Sequence, residues 1–325
     1  MSKRSWKWRG FGIEVEVPAS FARRLRRTLR PAGGAAVDSG RSIIEFPNDI
    51  PALHLQRREQ TMDSYIHSLR ERAPWYPDAW TPATDTAALQ AQVQRQIWYH
   101  TVELPGGVVT PGYYDHRPLV PHYGLPDDLT GQRVLDVGAW DGFWSFEFER
   151  RGAEVTSVDL DLLSETDFPP QLRKAVLDQD LDQRLGGGFE IARRALGSKV
   201  KRIAGSVYEL DPATLGTFDL VHFADVSLHL ERPLEAFRRI RSVTKGRAMI
   251  VEAYNPELDR DAGRTYTEYL GGWPNATWWI PSLNTFVQMV LDAGFSDVRV
   301  ETAYRLNPRF EEGLGRWRAV LIATP

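Results

Sequence analysis

From Gln132 onward, short apolar runs alternate with stretches whose apolar residues recur every three or four positions. That alternation predicts strands following helices in turn, the order that builds a parallel sheet covered on both faces. Strands are expected at 133–137, 154–158, 200–203, 218–223 and 248–251, with helices at 143–150, 233–243 and 283–293. Residues 160–198 read as a long helical excursion broken at Gly186-Gly187-Gly188, and the runs at 298–301 and 318–322 as an antiparallel edge pair. The expected fold class is α/β: a doubly wound, mostly parallel, seven-stranded sheet with an antiparallel C-terminal strand pair.

Upstream the pattern differs and predicts an N-terminal α+β extension. Residues 12–17 alternate with period two, 42–46 form a second short strand candidate, and Pro31-Ala32-Gly33-Gly34 between them reads as a loop. Residues 52–72 read as a helix with Leu53, Leu55, Met62, Tyr65, Ile66 and Leu69 as a rough apolar stripe. A Pro/Trp-rich connection at 74–82 precedes a second helix over 86–98. Three regions are expected: a small appendage at 1–50, a helical and loop cap at 51–130, and a cofactor-binding domain at 131–325.

Composition narrows the chemistry. The chain of 325 residues carries a formal charge of -3, whereas a protein that neutralises many phosphates usually carries a basic surplus. Its one basic cluster, Arg23, Arg24, Arg26, Arg27 and Arg30, is read as a solvated helix face. Without cysteine there is no disulfide, thiolate nucleophile or Cys-ligated zinc, and the histidine spacing suggests no metal site. No apolar run is long enough to span a bilayer, and no apolar stretch follows the basic first residues as a signal peptide would need. A cytoplasmic location is expected, with no membrane partner; a homo-oligomer stays open.

The segment Val134-Leu135-Asp136-Val137-Gly138-Ala139-Trp140-Asp141-Gly142 is an apolar strand ending in an acid, then a glycine-bracketed turn into a helix. Ligands of open α/β sheets bind beyond the carboxyl ends of the strands, so this turn is where a ligand is expected. Asp159 closes the next strand 23 residues after Asp136, which suits a carboxylate facing a ribose diol. A dinucleotide needs G-x-G-x-x-G for its pyrophosphate; here the spacing is G-x-x-x-G, and Trp140 and Asp141 crowd the helix end. A cofactor that has no phosphate and presents an ammonium, S-adenosylmethionine (SAM), suits Asp136 or Asp141 better than NAD.

The same stretch resembles motif I of class I SAM-dependent methyltransferases, which implies a Rossmann-like fold, with Asp159 as the ribose acid and Leu160 beside it. Gly205-Ser206-Val207-Tyr208 resembles the segment lying over the adenine, and Ala224-Asp225-Val226 the one facing the methionine and methyl group. Such motifs usually carry a third glycine where Trp140 stands. A narrower resemblance joins Trp98-Tyr99-His100, Leu129-Thr130-Gly131, Leu228-His229, Arg232-Pro233-Leu234 and residues 318–323 to the carboxymethyltransferases acting on tRNA wobble uridine. That family grips the extra carboxylate of carboxy-SAM with a lysine, a tyrosine and an arginine. Arg318 stands at the arginine position, but Leu228 replaces the tyrosine and residues 98–104 hold no lysine. A buried carboxylate left unpaired costs several kcal/mol, so plain SAM is the expected donor.

A methyltransferase positions an acceptor and removes its proton. His229, Glu252, Asp225 and His116 are the candidate catalytic residues; strand-end acids also cap helices, and His229 also reads as a hydrogen-bonded structural histidine. Tyr113, Tyr114, Tyr254, Trp278, Trp279 and Arg318 are the candidate substrate contacts, the aromatic loop suggesting a planar, sugar-like or cationic acceptor, or simple packing. The expected function is methylation of an O, N or C atom of a small molecule, in secondary metabolism; tRNA as acceptor and a non-catalytic SAM-binding protein are the alternatives.

Overall fold

The structure, a computed structural model, describes residues 5–10, 13–18, 53–71, 76–77, 80–260, 263–273, 276–309 and 315–325. The strand candidate at 42–46, the loop at 31–34, the arginine cluster and parts of the 74–82 connection lie outside them. The chain divides into two compact units, Met1–Pro51 and Ala52–Pro325. In the first, β1 (Ser5–Gly10) pairs antiparallel with β2 (Ile13–Pro18).

The second unit opens with α1 (Leu53–Glu71), whose Met62, Tyr65, Ile66 and Leu69 pack against Leu163, Phe168 and Leu172. Next come α2 (Thr86–Gln94), capped by Asp85, and the short ribbon of β3 (Glu103–Leu104) with β4 (Val108–Val109). The predicted alternation then appears as β5 (Arg133–Val137), α3 (Phe143–Arg150) and β6 (Glu154–Asp159). The excursion that follows holds α4 (Pro170–Asp178) and α5 (Gly187–Leu196). Then come β7 (Lys201–Ala204), α6 (Pro212–Leu215), β8 (Phe218–Ala224), α7 (Pro233–Val243) and β9 (Thr244–Tyr254). A small ribbon of β10 (Thr267–Tyr269) with β11 (Trp279–Pro281) precedes α8 (Leu283–Asp292), β12 (Asp297–Leu306) and β13 (Arg316–Thr324).

Seven strands form the main sheet in the order β12-β13-β9-β8-β5-β6-β7. The five from β7 to β9 run parallel, and β13 inserts antiparallel between β9 and β12. This is the expected doubly wound, Rossmann-like sheet. Both faces of the central strands are buried, which is why Val134, Leu135, Leu220 and Val221 sit in near-continuous apolar runs. One apolar layer includes Phe143, Trp144, Phe148 and Phe189; the other includes Phe218, Phe237, Ile240 and Phe286. The cap segments around Trp98, Val102 and Tyr123 join the first of these layers, so they are built into the same core as the sheet. The order reverses between β5 and β8, and a crevice is expected at the carboxyl ends of those strands. No helix among the described residues is long and apolar enough to cross a membrane.

Candidate active site

The crevice is there: a cavity of about 520 Å³ opens at the ends of β5, β6 and β8. Asp136, Gly138, Trp140, Asp141, Asp159, Leu160, Ser206, Val207, Tyr208, Ala224 and Val226 all border it, as do Asp225, His229 and His116. Ala139 and Gly142 do not; Ala139 is buried in the core behind the turn, and Gly142 packs against Phe146 and Phe189.

The turn after β5 is shaped by three devices. Gly138 has φ +77°, and a Cβ there would come within 2.3 Å of Val226 Cγ2, so only glycine fits. Trp140 also takes a left-handed conformation, φ +51°, with its indole half-exposed at the cavity edge rather than filling it. A non-glycine residue pays roughly 1–2 kcal/mol for that backbone region. The backbone N–H of Trp140 donates to Asp159 Oδ2 at 2.6 Å, and that of Leu160 to Oδ1 at 2.8 Å, which hold the strand-end acid facing the turn. Trp140→Gly relieves the strain but frees the unfolded chain by roughly 0.5–1 kcal/mol. The expected net effect is a gain of roughly 0.5 kcal/mol in urea denaturation; a clear loss would mean that the indole contributes packing.

Two carboxylates proposed for the ammonium are already used. Asp136 accepts from Ser145 Oγ at 2.5 Å and faces His222 Nδ1 at 2.8 Å, and His222 Nε2 lies 3.1 Å from the Tyr123 hydroxyl. Asp141, only 1% exposed, accepts from the backbone N–H groups of Tyr99 and His100, both at 2.8 Å, and also bonds His100 Nδ1. Both acids therefore brace the cavity wall, and any contact with an ammonium is additional. Around the adenine segment, Ser206 caps a short 3-10 turn, and the Tyr208 hydroxyl donates to Asp167 Oδ2 at 2.6 Å while Arg232 lies over its ring.

Asp225 also sits at positive φ, +53°, at the end of β8. Both its oxygens accept from Arg318 Nε, at 2.7 and 2.8 Å, and the Tyr99 hydroxyl reaches Oδ2 at 3.4 Å. The pair is almost fully buried, and the Arg318 guanidinium lies 5.1 Å above the Tyr114 ring. Glu252 lies apart from the large cavity. It borders a second, smaller one of about 170 Å³ with Ser227, Leu228 and Trp279. There it accepts from Ser227 Oγ at 2.6 Å and from the backbone N–H of Leu228 at 2.9 Å. Burial, and then the negative charge of Asp225, push its carboxyl up to about 7. Burial, His100, Arg318 and His222 hold the His116 imidazole well below its usual range.

None of the six expected substrate contacts borders the large cavity. Trp278 donates its indole N–H to the Asp167 carbonyl at 2.6 Å and Trp279 to that of Leu230 at 3.1 Å, so both brace loops. Tyr254 packs on the sheet core, Tyr113 is bonded through its backbone to Trp98, and Tyr114 stacks edge-on against Tyr99. Tyr99, Tyr123, Trp144 and Tyr304 take the places along the cavity instead. Only Trp98-Tyr99-His100 had been marked in the sequence.

The mostly parallel sheet, with a glycine turn at its reversal point and a strand-end acid facing that turn, is the arrangement expected of a class I SAM-dependent methyltransferase domain. The chain belongs to the family described as the methyltransferase domain, which it matches over residues 116–300. It is 45% identical to the magnesium-protoporphyrin O-methyltransferase of Rhodobacter capsulatus over 56 residues, 16% of this chain and 25% of that protein. It is 25% identical to the tRNA U34 carboxymethyltransferase of Pseudomonas fluorescens (strain SBW25) over 173 residues, 53% of this chain and 48% of that one. The chain thus spans between a quarter and half of these relatives. Among solved structures, the N-terminal domain of EvdMO1 with SAH bound is similar in fold, with a TM-score of 0.51 and 16% identity over 76% of this chain and 99% of that one.

Proposed function

We propose that this methyltransferase acts on a small molecule drawn into the large cavity, with SAM seated along the turn after β5 and Asp159 facing its ribose. The observation that carries the reading is the cavity itself: about 520 Å³, within the range of small-molecule sites, and walled mostly by half-buried and buried side chains. SAM, when bound, supplies a methyl carbon already activated by its sulfonium. The chain then has to orient the acceptor, exclude water and receive a proton. Asp225, His229 and His116 all border the cavity, where an acceptor would be oriented. The small-molecule reading agrees with the partial match to an O-methyltransferase of magnesium-protoporphyrin.

The tRNA carboxymethyltransferase reading is weakened at its key residue. Arg318, which would grip the carboxylate of carboxy-SAM, already holds Asp225 with both carboxylate oxygens on its Nε. Leu228, at the tyrosine position, faces the smaller cavity. A second carboxylate would have to share one guanidinium with the first. Incubation with methyl-labelled SAM and either bulk tRNA or a panel of small aromatic and sugar acceptors tests the proposal; label entering tRNA alone would overturn it. Asp159→Ala is expected to weaken S-adenosylhomocysteine binding by roughly 1–3 kcal/mol in calorimetry, the cost of leaving polar partners unpaired. Unchanged affinity would place the ribose elsewhere.

A further inference from the structure

Tryptophan at a left-handed backbone position carries a cost that glycine would not. Among the described residues, four other than glycine take a positive φ, and three of them, Trp140, Asp225 and Ala276, border the large cavity. Backbone strain gathered at one place points to a site there. Of the three, Trp140 is the residue whose side chain does least for the fold. Its indole is 42% exposed, whereas Ala276 is buried and Asp225 is locked to Arg318.

Its hydrogen bonds and ring contacts fix where the indole stands. The Trp140 N–H is bound to Asp159 Oδ2 at 2.6 Å, at the ribose end of the proposed site. Its ring lies 6.4 Å from that of Tyr99, whose hydroxyl reaches Asp225 Oδ2 at 3.4 Å at the end of β8. Trp140 and Tyr99 therefore span the wall between the ribose acid and the end of β8. Both border the cavity, and their rings are inclined by 61°, as two walls of a corner. The carboxylates along this stretch are already engaged: Asp225 by Arg318, Asp136 by Ser145 and His222, Asp141 by Tyr99 and His100.

Resting on the methyltransferase reading above and its placing of the ribose at Asp159, we infer that Trp140 and Tyr99 form an aromatic corner for the positive sulfur of SAM, which makes Trp140 a determinant of donor-over-product preference. A sulfonium carries charge but has no proton to donate, so an acceptor lone pair offers it no hydrogen bond, while the negative face of a ring can meet it at contact. A cation lodged between centroids 6.4 Å apart is within the roughly 6 Å reach of both rings. Once the methyl group has left, the sulfur is a neutral thioether and this part of the hold is gone. The strained tryptophan thus acts on the charge of the ligand, which a glycine at the same turn could not do.

The full-length protein is titrated in a calorimeter with SAM and with S-adenosylhomocysteine, and the ratio of the two dissociation constants is compared between wild type and Trp140→Gly. The ligands differ by one methyl group and its charge, so a looser turn weakens both alike and leaves the ratio where it was. Trp140→Gly is expected to weaken SAM about five-fold more than S-adenosylhomocysteine. If that variant binds neither ligand, Trp140→Asn, which tolerates the same backbone region, takes its place. Protein grown with 5-fluorotryptophan, whose ring keeps its shape but has a less negative face, should shift the ratio less and in the same direction, and the shift should vanish in Trp140→Gly. An unchanged ratio in the variant, or a fluorinated protein that matches the ordinary one, overturns the role of the ring while the methyltransferase reading stands. If the wild type binds neither ligand, both fall.

Discussion

Arg318→Leu is expected to destabilise the protein by about 3–5 kcal/mol, the usual consequence of removing one partner of a buried ion pair. Asp225 is only 11% exposed at its side chain, and both its oxygens depend on Arg318 Nε. With the guanidinium gone, the acid must be neutralised or drag water inward, at a backbone position already strained at φ +53°. Asp225→Asn combined with Arg318→Leu should recover a large part of the loss, because asparagine tolerates this backbone region and carries no charge. Urea denaturation of the wild type, the single variant and the pair measures this. Equal stability for single and double variants would show that the pair does not hold the fold through its charges.

The second large effect concerns pH. Glu252 ionises near 4.5 in an unfolded chain but near 7 in the fold. Below about pH 4.5 it is protonated in both states and contributes no pH dependence. Between about 4.5 and 7 the native state holds a proton that the unfolded state has released, so its contribution to stability falls as pH rises, and levels off above 7. Moving the ionisation from 4.5 to about 7 corresponds to roughly 3 kcal/mol over that window. Glu252→Gln should remove this component, leaving a stability profile whose fall between pH 4.5 and 7 is shallower by roughly that amount. Tryptophan fluorescence at a series of pH values reads it; parallel profiles would mean that Glu252 titrates normally.

What the sequence made legible was local. Strands β5 and β8 are legible to within a residue because each is buried on both faces and so spelled as a mostly apolar run, interrupted by Asp136 in β5 and by Asp219 and His222 in β8. The edges were harder. β12 extends over Asp297–Leu306, well past the expected 298–301, because it is held by pairing with β13 while most of its side chains stay at least partly exposed. β9 begins at Thr244 through polar residues because Thr244 and Arg247 pair with Phe218 and Leu220 of β8. β1, with its alternating aromatic and basic residues, pairs with β2 where the sequence predicts 42–46 as the second strand. The glycine run at 186–188 starts a helix instead of breaking one: Gly186, at φ +83°, is the residue before α5. Helix α2 stops at Gln94, short of 98, because Trp98 turns inward and donates its indole N–H to the Val93 carbonyl.

The same divide runs through the site. Gly138, Trp140 and Asp159 belong to one strand–turn–strand unit, so a short stretch of sequence was enough to place them together. Tyr123 and Tyr304 lie far apart along the chain, and only the register that sets Tyr304 opposite Arg318 on β13 brings the latter to the cavity. The loop tryptophans were conspicuous by composition, yet Trp278 and Trp279 each hold a backbone carbonyl.

The grip of Asp141 on Tyr99 and His100 reaches beyond the catalytic centre. One carboxylate ties the polypeptide upstream of the sheet to the bend that follows β5. Swapping the region before residue 130 for that of a relative, a common way to graft new selectivity, would strip this acid of its donors unless the transplant carried equivalent ones. The roof and the floor of the pocket are therefore not interchangeable parts, and successful chimeras should have their junctions placed upstream of Trp98.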